Sequence, residues 1–109
     1  MDRRVRAFLV DETAVHAISF ATNLQRWPRL PGQKLQWVDQ DGRHVALVTG
    51  PRDLMGCHEG TRVYLAPGWT QNDIVRPGDV RRIAKARRLE LVEIGPEPLK
   101  PSNPVEAVS

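Results

Sequence analysis

The run Arg62-Val63-Tyr64-Leu65-Ala66 stops at Pro67-Gly68-Trp69, and a polar loop then leads into a basic helical stretch. An apolar β-type run broken by Pro-Gly and followed by a helix marks a strand feeding a crossover in an α/β protein. The rest of the chain reads around that junction.

Upstream, residues 3–10 pass from alternating to continuously apolar and predict a strand that becomes more buried toward Val10. Asp11 is the expected N-cap of a helix from Glu12 to Arg26. Its apolar positions Ala14, Ala17, Ile18, Ala21 and Leu24 recur at helical spacing, and Val15 and Phe20 widen the face. Pro28 stops the helix and disfavours helical geometry at Trp27. Residues 28–33 form a turn-rich connector, and residues 34–38 and 43–49 read as strands. Between them, Asp39-Gln40-Asp41-Gly42 predicts a hairpin, because both residues of Asp-Gly accept positive φ.

Residues 50–60 read as a loop with one helical turn at 51–55, followed by strand 62–66. Arg76-Pro77-Gly78-Asp79 opens a second helix, with Asp79 at the N-cap or in the first turn, where the dipole favours a carboxylate. That helix runs from Val80 to about Arg88, with Val80, Ile83 and Ala84 on one face, and residues 89–94 form a last strand. Four prolines follow Gly95, so residues 96–109 are expected to be a disordered tail. The predicted order is β-α-β-β-loop-β-α-β. It describes a small Rossmann-like α/β domain over residues 1–95, with about five strands in a mixed or mostly parallel sheet and two main helices.

Composition narrows the function classes. At 109 residues the chain suits one compact domain. No run approaches the roughly 18 apolar residues of a membrane helix, and Ala7-Phe8-Leu9-Val10 is too short for a signal-peptide core. A lone cysteine, Cys57, excludes an internal disulfide, so a reducing cytoplasm is expected. Thirteen of the sixteen basic residues are Arg, a bias that suits a GC-rich coding sequence and a bacterial or phage accessory protein. The net charge is +3, but residues 76–88 hold six basic residues against Asp79, a local +5 that leaves −2 for the remainder. The chain is not basic throughout; it carries a basic element.

Three places are candidates for binding. Thr49-Gly50-Pro51-Arg52-Asp53 ends a strand in a turn whose backbone N–H groups, from Gly50 onward, suit a phosphate, with Arg52 as the counter-charge. Pro67-Gly68-Trp69 offers an indole for stacking, and Asn72 a polar edge for a sugar or base. On the second helix, Arg81, Lys85 and Arg88 fall within about 60° of one another, opposite the apolar face. With Arg82 they form a positive ridge able to meet phosphates or an acidic protein surface. Each also has a plain structural reading: a strand-end turn, a core-capping Trp with a turn-capping Asn, and a solvated helix face. Cys57-His58-Glu59 lacks the spaced Cys/His pairs of a zinc site, and adjacency does not bring a Cys and a His together for catalysis. No metal or cofactor is expected.

Residues 62–94 resemble the C-terminal half of small nucleoside 2-deoxyribosyltransferase-like proteins. The resemblance rests on Val63-Tyr64-Leu65-Ala66-Pro67-Gly68-Trp69-Thr70-Gln71-Asn72, a following helix with Ala84, and a strand ending Leu91-Val92-Glu93. Thr49-Gly50-Pro51-Arg52-Asp53 looks like a strand-end turn of the wider nucleotide-binding Rossmann-like group. The resemblance implies a Rossmann-like sheet and a nucleotide or nucleoside ligand near Trp69 and Asn72. That family carries a catalytic Glu in the helix after the Trp loop, whereas residues 73–81 here contain no Glu, and Asp79 is the carboxylate nearest the matching place. The fold carries over more readily than the activity. The expectation is therefore a non-enzymatic binding or regulatory module with no assigned catalytic residue. Its partner is first a protein, then a nucleic-acid backbone, and the alternative is a nucleotide-binding enzyme or sensor.

Overall fold

The computed structural model describes residues 7–32, 35–72 and 75–95. The predicted strand residues 3–6 and 34, and the tail 96–109, lie outside them. Five strands form one sheet in the order β2-β3-β1-β4-β5: β1 (Ala7–Val10), β2 (Gln36–Val38), β3 (His44–Leu47), β4 (Arg62–Leu65) and β5 (Glu90–Glu93). β1 pairs in parallel with β3 and β4, β4 with β5 in parallel, and β2 with β3 antiparallel. This is the mostly parallel α/β sheet the sequence predicts.

Side-chain alternation along the central strands divides the core in two. Ala7 and Leu9, Val45 and Leu47, and Tyr64 and Ala66 face one side, where Ala17, Phe20 and Ala21 of the first helix cover them. Val10, Val48, Val63 and Leu65 face the other side, beneath Leu54 of α2 (Pro51–Met55) and Val80 and Ile83 of α3 (Pro77–Arg87). Strands buried on both faces have to be apolar throughout, which is why residues 7–10 and 45–48 lack a polar alternate.

The first helix departs from its forecast in two ways. α1 is regular only over Ala14–Ser19, and Thr13, not Asp11, is its N-cap, with the hydroxyl accepting from the His16 amide at 3.2 Å. Asp11 instead takes the Glu12 amide at 2.6 Å. Residues Phe20–Leu24 widen into a π-turn, in which the Gln25 amide reaches back to the Phe20 carbonyl at 2.9 Å. The next turn is wider still, from the Trp27 amide to the Ala21 carbonyl at 2.8 Å, with Arg26 left-handed at φ 56°. The widening swings Trp27 into the core, edge-on to Phe20 and tilted against Tyr64 with 4.9 Å between ring centroids. Side-chain packing of the indole outweighs the regular helical pattern here.

The hairpin forms as predicted, with one difference in its turn. Only Gly42 is left-handed (φ 81°), and the Asp39 carbonyl accepts its amide at 3.1 Å. The outer edge of β2 is covered by residues 28–30: the Leu30 amide bonds the Gln36 carbonyl at 3.0 Å and the Val38 amide the Pro28 carbonyl at 2.8 Å. β5 forms the opposite edge, where exposed Glu90 and Glu93 guard it with charge. α3 starts at Pro77, one turn earlier than Val80, with Asp79 in its first turn. Pro is tolerated at the first helical position because that N–H has no intrahelical partner.

Candidate functional site

α3 has the amphipathic form predicted for it. Val80, Ile83 and Ala84 are buried, while Arg81, Arg82, Lys85, Arg87 and Arg88 are exposed. At about 1.5 Å per residue, Arg81 and Arg88 are separated by about 10 Å along the helix. The ridge is less purely positive than its composition implies. Arg82 bonds Asp79 at 3.0 Å on its own helix, and Arg88 lies 3.5 Å from Glu59 of the preceding loop. Both pairs are exposed, so each is worth less than about 1 kcal/mol and yields readily to a competing anion. Arg88 also closes the helix in a left-handed conformation (φ 55°), and its carbonyl accepts the Gly60 amide at 2.9 Å.

Arg81 is held differently. Its guanidinium carbon lies 5.2 Å from the centroid of the Trp69 ring. Trp69 belongs to a single 3-10 turn after β4 and is buried with Val10, Val75 and Val80. The indole is thus packed below and covered above by Arg81, leaving little of it to stack on a free base. Asn72 is also committed. Its amide nitrogen donates to the Asp11 carbonyl and its oxygen accepts the Val75 amide at 2.9 Å, tying the loop after β4 to the end of β1.

These residues sit at the carboxyl ends of β1 and β4. The chain leaves β1 for one side of the sheet and later crosses to the other, so this is the switch point where doubly wound sheets bind ligands. Here the two strand ends are drawn together. A Cβ on Gly68 would stand 3.2 Å from Glu12 Cβ and 3.4 Å from Asp11 Oδ1. Asp11 is 5% exposed, and burial pushes its carboxyl pKa up from the usual range.

The turn after β3 is likewise filled by a side chain of this chain. Gly50 caps α2 in an extended conformation, and Asp53 Oδ2 accepts both the Thr49 amide at 2.7 Å and the Thr49 hydroxyl at 3.1 Å. A carboxylate occupies the turn that the sequence offered to a phosphate. Arg52 projects from α2, exposed. Gly50 and Arg52 lie in the turn after β3, while Trp69 and Asn72 lie in the loop after β4. Cys57 is buried with its thiol donating to the Asp53 carbonyl at 3.2 Å, and burial pushes its pKa up, away from a reactive thiolate. Among the described residues no group of three or more His, Cys, Asp or Glu could hold a metal ion.

At the opposite end of the sheet lies a buried polar network that the sequence reading missed. Tyr64 donates to Asp39 Oδ2 at 2.6 Å and accepts from Arg62 and from Gln40, each at 3.1 Å. Arg62 also bonds Asp41 at 3.0 Å and Glu90 at 3.2 Å, and Trp27 Nε1 donates to Gln40 at 3.1 Å. Burial works against the charge on Arg62, but its bonds to Tyr64, Glu90 and Asp41 outweigh it and hold the guanidinium protonated. The network locks the β2–β3 turn onto β4 and β5. Its trace in the sequence is Arg62 and Tyr64 alternating through an otherwise apolar strand, which demands partners that only the folded hairpin supplies.

Across the described residues, no helix is long and apolar enough to cross a membrane. Comparison of the chain with protein-family models, with curated protein sequences and with solved structures finds no match.

Proposed function

We propose that this chain is a non-enzymatic docking module that binds an acidic surface on a partner protein through the outer face of α3. The observation that carries this is the helix itself. Its inner face is fixed in the core by Val80, Ile83 and Ala84, while Arg81, Arg82, Lys85 and Arg88 stand on its outer face. A rigid element presenting clustered charge favours fast, oriented association with a surface of opposite sign.

Trp69 is covered by Arg81 and Asn72 is bonded within the fold, which favours docking over the nucleotide alternative. A protein partner suits the ridge better than a nucleic-acid backbone. Asp79 and Glu59 lie among its cations, and a duplex carrying a charge every 1.7 Å or so of axis would press against both.

The test is capture from a nuclease-treated cell lysate, comparing the wild type with the double variant Arg82→Glu, Lys85→Glu. The wild type should retain a partner that the variant loses. Equal capture by both proteins removes the ridge from the account, and capture only in untreated lysate transfers it to nucleic acid.

A further inference from the structure

The cations of α3 are not equivalent, and Arg81 stands apart by what holds it. Arg82 and Arg88 face carboxylates of this chain, Asp79 and Glu59. The group beneath Arg81 is instead an indole, 5.2 Å from guanidinium carbon to ring centroid. Trp69 is only 6% exposed and packs with Val10, Val75 and Val80, so the platform is rigid. A guanidinium lying over an indole has already lost much of its rotamer freedom, and its flat face is shielded from water. Its N–H groups radiate from the edge of the plane, in the fork geometry that matches two oxygens of one anion. Among the described residues no carboxylate pairs with Arg81, so binding there breaks no such pair and orders a side chain already held by the indole.

We infer that Arg81 is the anchor of the α3 docking face, and that it grips a single carboxylate of an acidic protein segment through two parallel N–H···O bonds. This rests on the docking function proposed above and adds which residue carries it and what that residue holds. A carboxylate fits better than a phosphodiester chain because the neighbouring acids leave room for one localised anion at Arg81. Asp79 and Glu59 oppose a continuous run of them. Lys85, Arg82 and Arg88 then act as a surrounding field that draws the segment in.

The test uses the full chain and a ten-residue Gly/Ser peptide carrying two spaced glutamates, followed by NMR at the arginine Nε–Hε resonances. The Arg81 resonance is displaced by the Trp69 ring current and should respond to the peptide before those of Arg82 and Arg88. Arg81→Lys keeps the charge but loses the fork and should weaken binding by more than about tenfold. Arg82→Lys and Arg88→Lys should each cost less than about threefold, as expected of peripheral contacts. Trp69→Phe, which leaves Arg81 in place over a weaker platform, should give an intermediate loss. Equal losses in all three Lys variants overturn the anchor and leave the docking face standing. Failure of the wild-type protein to bind the peptide at low salt overturns both. Tighter binding of inorganic tripolyphosphate at Arg81 than of the peptide overturns the carboxylate assignment.

Discussion

Tyr64 donates its phenolic hydrogen to Asp39 Oδ2 at 2.6 Å, joining residues 25 apart in sequence across the buried end of the sheet. The Asp39 side chain is fully buried, and its other oxygen accepts the amides of Asp41 and Arg43 at 2.9 and 2.8 Å. One carboxylate thus shapes the hairpin turn and also fastens it to the central strand. Tyr64→Phe would leave Asp39 Oδ2 without that donor, a loss of about 2 kcal/mol for a buried charged acceptor. Urea unfolding of the two proteins at neutral pH checks this. A difference under about 0.5 kcal/mol would show that the bond is dispensable.

The same hydroxyl gives the fold a sensitivity to alkali. Burial, reinforced by the bond to Asp39, pushes the Tyr64 pKa up to about 12, with Arg62 pulling the other way. An unfolded tyrosine ionises near pH 10. The folded state therefore holds this proton more tightly, and the stabilisation is complete below about pH 10 and lost as pH rises toward about 12. At most it amounts to about 3 kcal/mol. The stability advantage of wild type over Tyr64→Phe should shrink between pH 9 and pH 11.5; a constant advantage would refute the linkage.

Asn72→Ala should destabilise the protein by about 2 kcal/mol, because it orphans the Val75 amide and the Asp11 carbonyl together. Adenine, guanine and pyrimidine nucleotides at millimolar concentration should give no thermal shift to the wild type. A saturable rise in Tm with any of them would restore the nucleotide reading.

Much of this was legible in the chain. The apolar runs at 7–10 and 45–48, the Asp-Gly turn and the Pro67-Gly68 break each specify local structure strongly, and all appear where the sequence places them. The inner face of α3 was equally readable from Val80, Ile83 and Ala84. The missing part depends on contacts between distant residues. Nothing local around Trp27 signals a π-turn, since the reward is its packing on Phe20 and Tyr64. Nor does spacing reveal that Arg81 covers Trp69, that Asp53 fills the turn after β3, or that Glu59 reaches Arg88. Each of these contacts joins residues that the local sequence pattern does not bring together.

Arg88 occupies a left-handed helix terminus where glycine is the favoured residue. Arg88→Gly should raise stability by about 0.5–1 kcal/mol, because the strain of a side chain at φ 55° exceeds the value of an exposed pair with Glu59. The readout is the urea midpoint, and a fall in it would show that the ion pair dominates. The same variant should weaken the acidic-peptide interaction only mildly.

The docking claim is tested most directly by lysine footprinting of the captured complex. The sequence holds three lysines, Lys34, Lys85 and Lys100, and only Lys85 belongs to α3. Acetylation with and without the bound partner, read by mass spectrometry, reports which of them the partner covers. Binding through the α3 face predicts strong protection of Lys85, with Lys34 and Lys100 reacting as in the free protein. Lys85 labelling unchanged in a stoichiometric complex would contradict the account.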